Sequence, residues 1–202
     1  MPTNFLRKNV SVQEIFDQMN PKTKDKVIYT EKHRLALMHI LNALIPANSD
    51  DKVIIGKESF TYHELNDILK NRLIIHDVDK LALLFCGYHP KSASTIHRMG
   101  MRHHMENNLK HTEIDMLEAV LDYESAGLTK PDKPRNAYLT IKDDIADNTI
   151  KQTMLNICTE LGIDNPDTAT IRYPDFKATM SDYELFEKAI GDINWLMHGT
   201  RR

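Results

Sequence analysis

The sequence predicts an all-α fold, a helical bundle with a helical C-terminal extension. Three observations carry this. Apolar residues recur at spacings of three and four through most of the chain, the signature of one buried helix face. There are only seven glycines and few long β-branched runs. Capping residues stand at the starts of several of the periodic segments.

The first thirty or so residues, with Pro2, Pro21 and the run KTKDK, predict a short helix over about Val10 to Met19 and then a loop. From Thr30 the pattern TEKHRLALMHILNALI is helical, with Thr30 as N-cap and Pro46 just past the end. KVIIGKESFTY alternates enough for a small hairpin or a turn. Thr61, with Glu64 three residues on, forms a capping box for TYHELNDILKNRLIIHD, which carries His76-Asp77 near its C-terminal end. His89-Pro90 breaks the run LALLFCGY, and a helix from near Ser92 is expected through STIHRMGMRHHMENN. TEIDMLEAVLDYESAG follows, capped by Thr112 and closed by Gly127.

TKPDKPRNAY, with two prolines in four residues, reads as a loop and as the best boundary. Its plainest role is a proline-stiffened connector in which Asn136 caps the next segment. IKDDIADNTIKQTMLNICTELGI predicts one long helix, and DYELFEKAIGDINWLM the last one. The divisions are thus 1–29, 30–140 and a C-terminal extension, 141–202, packing on the same domain. No internal repeat is visible.

Hydrophobic residues at 41% and charged residues at 27% place the chain among ordinary globular proteins rather than disordered ones. A net charge of −3 gives no footprint for nucleic acid, although local positive patches remain open. No apolar run is long enough to span a bilayer, and the start lacks the apolar core of a signal peptide, so the cytosol is expected. Cys86 and Cys158 stand far apart in apolar contexts and read as reduced core thiols. The stripe Phe186, Ile190, Ile193, Trp195 and Leu196 reads as core or as the interface of a homo-oligomer.

The chemistry lies in the histidines. His33 falls in line with Leu37, Ile40, Leu41 and Leu44, whereas His39 points elsewhere. Leu65, Ile68, Leu69, Arg72 and His76 share another stripe, with Asp77 one step off it. Burying Asp77 is costly unless a metal or Arg72 relieves it. His97 and His104 are seven residues apart, two helical turns, with Met101 between them. His103 lies about 100° from His104 and competes with it. Asp115, Glu118 and Asp122 share a face with Ala119 and Ala126. Taken singly, each histidine is more simply a hydrogen-bonded core residue, and each acid a solvated charge. His39, His63, His89, His111 and His198 read as surface or loop residues. Jointly, imidazole and carboxylate suit one or two divalent ions, whether Mn, Fe, Zn, Ni or Mg.

The ordered set His33, His76-Asp77, His97, His103/His104, Asp122 resembles the HD-domain superfamily of metal-dependent phosphohydrolases. HDVDK, HRMGMRHHMENN and EAVLDYESAGLTKPDKPRNAY look closest to the family of bacterial and phage proteins designated DUF5662. The likeness covers roughly His33 to Tyr138. It implies an HD-like bundle in which His33, His76, Asp77 and Asp122 hold one metal. It implies also that His97 and either His103 or His104 hold a second. Asp122 follows Asp77 by 45 residues, a short interval for the superfamily. Lys80 resembles the lysine of the family's doublet segment.

The activity so implied is a divalent-metal-dependent phosphohydrolase acting on a nucleotide or other small phosphoester, in a bacterial or phage-infected cell. Glu118 or Asp115 could orient the attacking water. Arg72, Lys80, Arg98, Arg102, Lys130, Lys133 and Arg135 are available to substrate phosphates, against ordinary ion-pair duty for each. Two alternatives stay open: an HD-fold di-iron oxygenase built on the same ligands, and a non-catalytic helical binding protein. A separation beyond about 8 Å between His33, His76 and Asp122 would reject a shared site, given ligand bonds near 2 Å.

Overall fold

A computed structural model describes residues 10–130 and 135–199. The fold is all-α apart from one small hairpin, as the periodicity predicts. α1 (Val12–Gln18) is followed by the long α2 (Pro21–Leu44). The hairpin strands are β1 (Lys52–Ile55) and β2 (Glu58–Thr61), antiparallel, with Val53 opposite Phe60. Then come α3 (Tyr62–Leu73), α4 (Val78–Phe85), α5 (Pro90–Gly100) and α6 (Glu113–Thr129). α7 (Ala137–Asp144), α8 (Asn148–Glu160), the short α9 (Ala169–Arg172) and α10 (Asp182–His198) complete it. No helix among the described residues is long and apolar enough to cross a membrane.

α2 and α6 form the central pair. α3, α7, α8 and the hairpin close one core around Leu37, Leu41, Leu69, Leu117 and Ile157. α1, α4, α5 and α10 close a second around Val27, Leu81, Phe85 and Phe186. The C-terminal region therefore contributes to both cores, with Phe186 and Ile193 buried while Leu196 is exposed.

Local boundaries depart from the sequence reading in instructive ways. α2 starts nine residues before Thr30: Asn20 caps it by accepting from the Lys22 amide, and Pro21 sits at its first position, where no amide partner is needed. Thr30 instead folds back, its hydroxyl donating to the Lys26 carbonyl at 2.8 Å. The capping box expected at Thr61/Glu64 forms, and Thr112 caps α6 as expected, within a second box whose other member, Asp115, the sequence reading did not name. Gly127 does not end α6; a Cβ there would stand 3.0 Å from Ala169 Cβ and from the Arg135 carbonyl, so glycine permits close packing.

α5 begins at Pro90 and stops at Gly100, leaving His103 and His104 outside any helix. α3 stops at Leu73, so His76-Asp77 lie in the turn before α4, and Ile68 is 38% exposed rather than part of the buried stripe. The single long helix expected after residue 140 is two, because Asp147 caps α8 by accepting from the Thr149 and Ile150 amides. Cys158 is in the core, but Cys86, at the end of α4, is exposed.

Candidate metal centre

The chain reverses between α3 and α4 through three one-turn amide bonds: Ile75 to the Arg72 carbonyl, His76 to Leu73, and Val78 to Ile75. At the end of this turn Asp77 adopts φ 62°, ψ 1°, the one left-handed non-glycine residue among those described. Such a conformation costs on the order of 1–3 kcal/mol and collects at functional positions. Its effect here is directional. Asp77 stands at the N-cap of α4 yet makes no side-chain cap. Its carboxylate turns inward, 2.6 Å from Lys80 Nζ and 2.8 Å from His97 Nε2.

Four elements converge on that carboxylate: α2 with His33, the turn with His76-Asp77, α5 and the following loop with His97, His103 and His104, and α6 with Asp122. One donor atom from each of His33, His76 and Asp77 lies within 4.8 Å of the others. The same holds for His76, His103 and Asp122, and for His97, His103 and His104. His33 Nε2 is 2.6 Å and His76 Nε2 3.8 Å from Asp122 Oδ1. Ligands bound at roughly 2.0–2.2 Å to one ion stand about 3–4 Å apart, so the spacing has the scale of a coordination shell. The structure thus brings all seven sequence-predicted ligands together, with His103 and His104 both present, their rings 4.5 Å apart.

Nitrogen usage separates this cluster from a core hydrogen-bond network. His76 Nδ1 is 3.0 Å from Glu118 Oε1, His97 Nδ1 is 2.9 Å from both Asp79 oxygens, and His33 Nδ1 is 3.2 Å from Ser125 Oγ. His103 Nδ1 lies 3.4 Å from Glu118, and His104 Nδ1 3.5 Å from Glu106. Each ring is held from outside by Nδ1, the arrangement that fixes a metal-binding tautomer. The Nε2 atoms of His76, His97, His103 and His104 are buried and accept or donate no hydrogen bond. His97 Nε2 is close to Asp77 but misaligned for one. A buried polar atom without a partner costs about 1–3 kcal/mol, and here there are four side by side.

Electrostatics agrees. Burial disfavours a charge on His76, but Asp77, Asp122 and Glu118 outweigh it and raise its pKa to about 10. Burial, reinforced by His76, pushes His103 down to about 3. Asp77 and Asp122 are held well below the ordinary carboxylate value: burial opposes this, but for Asp77 Lys80 and His76 prevail, and for Asp122 His33 and His76. The buried carboxylates thus favour positive charge at their centre.

A cavity of about 910 Å³ opens onto the cluster, reached by His33, His97, His104 and Asp122. Lys80, Arg98 and Lys130 line it, as does Lys26, which the sequence reading missed. Lys133 lies outside the described residues. Arg135 does not line the cavity and pairs with Asp143 and Asp144. Arg72 is spent on Glu118 and Asp115, at 2.7 and 2.5 Å, and Arg102 on Asp115 at 3.0 Å, so neither faces the cavity.

Glu118 and Asp115, expected as candidates to orient water, have other contacts. Asp115 caps α6 and binds both arginines, and Glu118 supports His76 and His103 from behind. Asp79 also went unnoticed, although its place two residues after Asp77 was a usable signal. His39 lies apart, against Tyr173 and Phe176. No family model, no curated protein and no solved structure matches the chain.

Proposed function

We propose that this protein is a divalent-metal-dependent phosphohydrolase with an HD-like centre, acting on a nucleotide or other small phosphoester. The observation that carries the reading is the set of four buried, unpartnered Nε2 atoms clustered beside Asp77 and Asp122, which each share a metal-sized group with His76. His33, His76, Asp77 and Asp122 would hold one ion. His97, His103 and His104 would hold a second, with Asp77 within reach of both. A bound divalent ion would supply Lewis-acid polarisation of a phosphoryl oxygen and lower the pKa of a water.

The chain's own residues do the rest. Glu118 and Asp79 fix the imidazole tautomers. Lys80, anchored by Asp77 and lining the cavity, offers its ammonium to phosphoryl oxygens. Asp122 keeps an edge on the cavity, where it can accept a hydrogen bond from a water or a substrate hydroxyl.

The nitrogen-rich donor set suits Fe, Zn or Ni better than Mg, while its carboxylates keep Mn in range. That same feature favours a second reading, an HD-fold di-iron oxygenase, and an iron-dependent visible spectrum under air separates the two.

The test is metal content and phosphatase activity on a nucleotide panel for the wild type, His76→Ala and Asp77→Ala. Metal is expected in the wild type, with loss of metal and turnover in both variants. Wild-type protein that holds no metal after supplementation, or variants that match it, would overturn the proposal.

A further inference from the structure

One wall of the cavity has a character that the metal centre does not explain. Lys26, Arg98 and Lys130 line it together, from α2, α5 and the end of α6. Two smaller hollows of about 450 and 370 Å³ adjoin the same residues, and Lys26 lines all three. Its ammonium lies 4.6 Å over the Tyr29 ring, and that ring stacks on His33 at 6.2 Å and 10°. Two ring contacts in series therefore tie Lys26 to a residue of the metal centre, on successive turns of one helix.

Among the described residues no carboxylate forms an ion pair with Lys26 or Lys130, and Arg98 has only a loose one, 3.8 Å from Glu106. The cavity's remaining acids are engaged: Asp147 caps α8, and Asp144 faces Arg135. Asp77, whose charge acts on Lys26, is paired with Lys80. The result is an excess of positive charge on this wall, where Asp25 lines the adjoining hollow beside Lys26 and Lys130 but pairs with neither. Burial, then Lys80, and then Lys130 and Arg98 press the Lys26 pKa down to about 8, where an anion would restore it. A protein of net charge −3 has concentrated cations on one cavity wall.

We propose that Lys26, with Arg98 and Lys130, is a receptor at the cavity mouth for a second anionic group of the substrate. The preferred substrate is then a phosphoester carrying two separated anions, one at the metal centre and one at Lys26, rather than a simple monoester. The substrate's description rests on the phosphohydrolase reading; the receptor does not, and can be tested without turnover.

The full-length protein is titrated calorimetrically with a nucleoside 3′,5′-bisphosphate and with the matching 5′-monophosphate, once with manganese and once after chelation. One added charge-assisted contact corresponds to about tenfold in Kd, so the wild type is expected to prefer the bisphosphate by that ratio. Lys26→Met should bring the ratio near one, and Lys26→Arg should keep most of it, with melting temperature as the control for folding. A wild-type ratio near one, no binding of either nucleotide, or a ratio that survives Lys26→Met would overturn the receptor. Lys26-dependent preference without hydrolysis of either nucleotide would keep the receptor and remove the hydrolase reading. Hydrolysis without Lys26 dependence would do the reverse.

Discussion

His33 and Arg34 are neighbours on α2, and each anchors a buried polar cluster, yet the two clusters are finished in opposite ways. Around Arg34 the charges close on one another. Its guanidinium donates to Glu31 at 2.5 Å, to Asp192 at 2.6 Å and to the Ile74 carbonyl at 2.7 Å, and Lys188 binds both acids. One guanidinium Nε is all that lacks a partner. Around His33 four imidazole nitrogens stay unpartnered although carboxylates are at hand. Buried ions that satisfy each other are architecture. Buried imidazoles whose inner nitrogens find no protein partner are a group that could hold a metal ion.

The largest expected effect tests the architectural side. Arg34→Met leaves fully buried Glu31 without its main partner and frees the Ile74 carbonyl, two residues before the doublet. Breaking one partner of such a network costs about 3–5 kcal/mol, to be read by urea unfolding. A loss under about 1 kcal/mol would erase the distinction between the clusters.

Next comes the ligand side. Asparagine accepts the left-handed backbone of Asp77 but is a much weaker ligand. Asp77→Asn should keep its helical circular dichroism and lose metal affinity by about 100-fold or more, beyond the 10–100-fold typical of outer partners such as Glu118. Retained stoichiometric metal would show that Asp77 serves the fold alone.

A third prediction concerns pH. Burial tends to raise the Asp115 pKa, but the Thr112 amide and hydroxyl, with Arg72 and Arg102, bring it down to about 2. A carboxylate whose folded pKa is depressed stabilises the protein above its unfolded pKa, near 3.9, and loses that contribution as pH falls through about 2. Asp115→Asn should therefore flatten the acid limb of stability between about pH 4 and pH 2 by roughly 2 kcal/mol. An unchanged limb would mean that the arginines find other partners.

Least of all, Lys32→Ala removes an ion pair whose side chains are 38% and 62% exposed, and should shift stability by no more than about 0.5 kcal/mol. A larger shift would mean that exposure is no guide to which charges matter in this molecule.

The sequence made the helical class, a hairpin or turn after α2, the Thr61/Glu64 capping box and the Thr112 cap readable, because each depends on residues within a few positions of one another. It made the ligand set readable as residue types on separate segments. It misplaced how they arrive. On a continuous helix His103 and His104 would diverge by about 100° and exclude each other. α5 ends at Gly100, so both reach the cluster from an irregular stretch. Starting α2 at Thr30 hid Lys26, which lies seven residues before His33 on the same helix face. Arg72 and Asp115 looked like chemistry because their partners are distant in sequence, 43 residues apart, and only the fold pairs them.

The stretch from Met101 to Thr112 has one more consequence. It supplies two imidazoles without a helical ladder, and side chains tie it down. Asn107 donates to the Arg98 and Met101 carbonyls at 2.9 and 2.6 Å and accepts from the Leu109 amide, while Arg102 donates to the Lys110 carbonyl. Segments held this way open locally before the rest of a protein does. An ion gripped by His103 and His104 would clamp the segment at its start, and would stabilise it as any ligand stabilises the state it binds. Amide exchange across these residues would thus gauge occupancy, slowing as the centre fills.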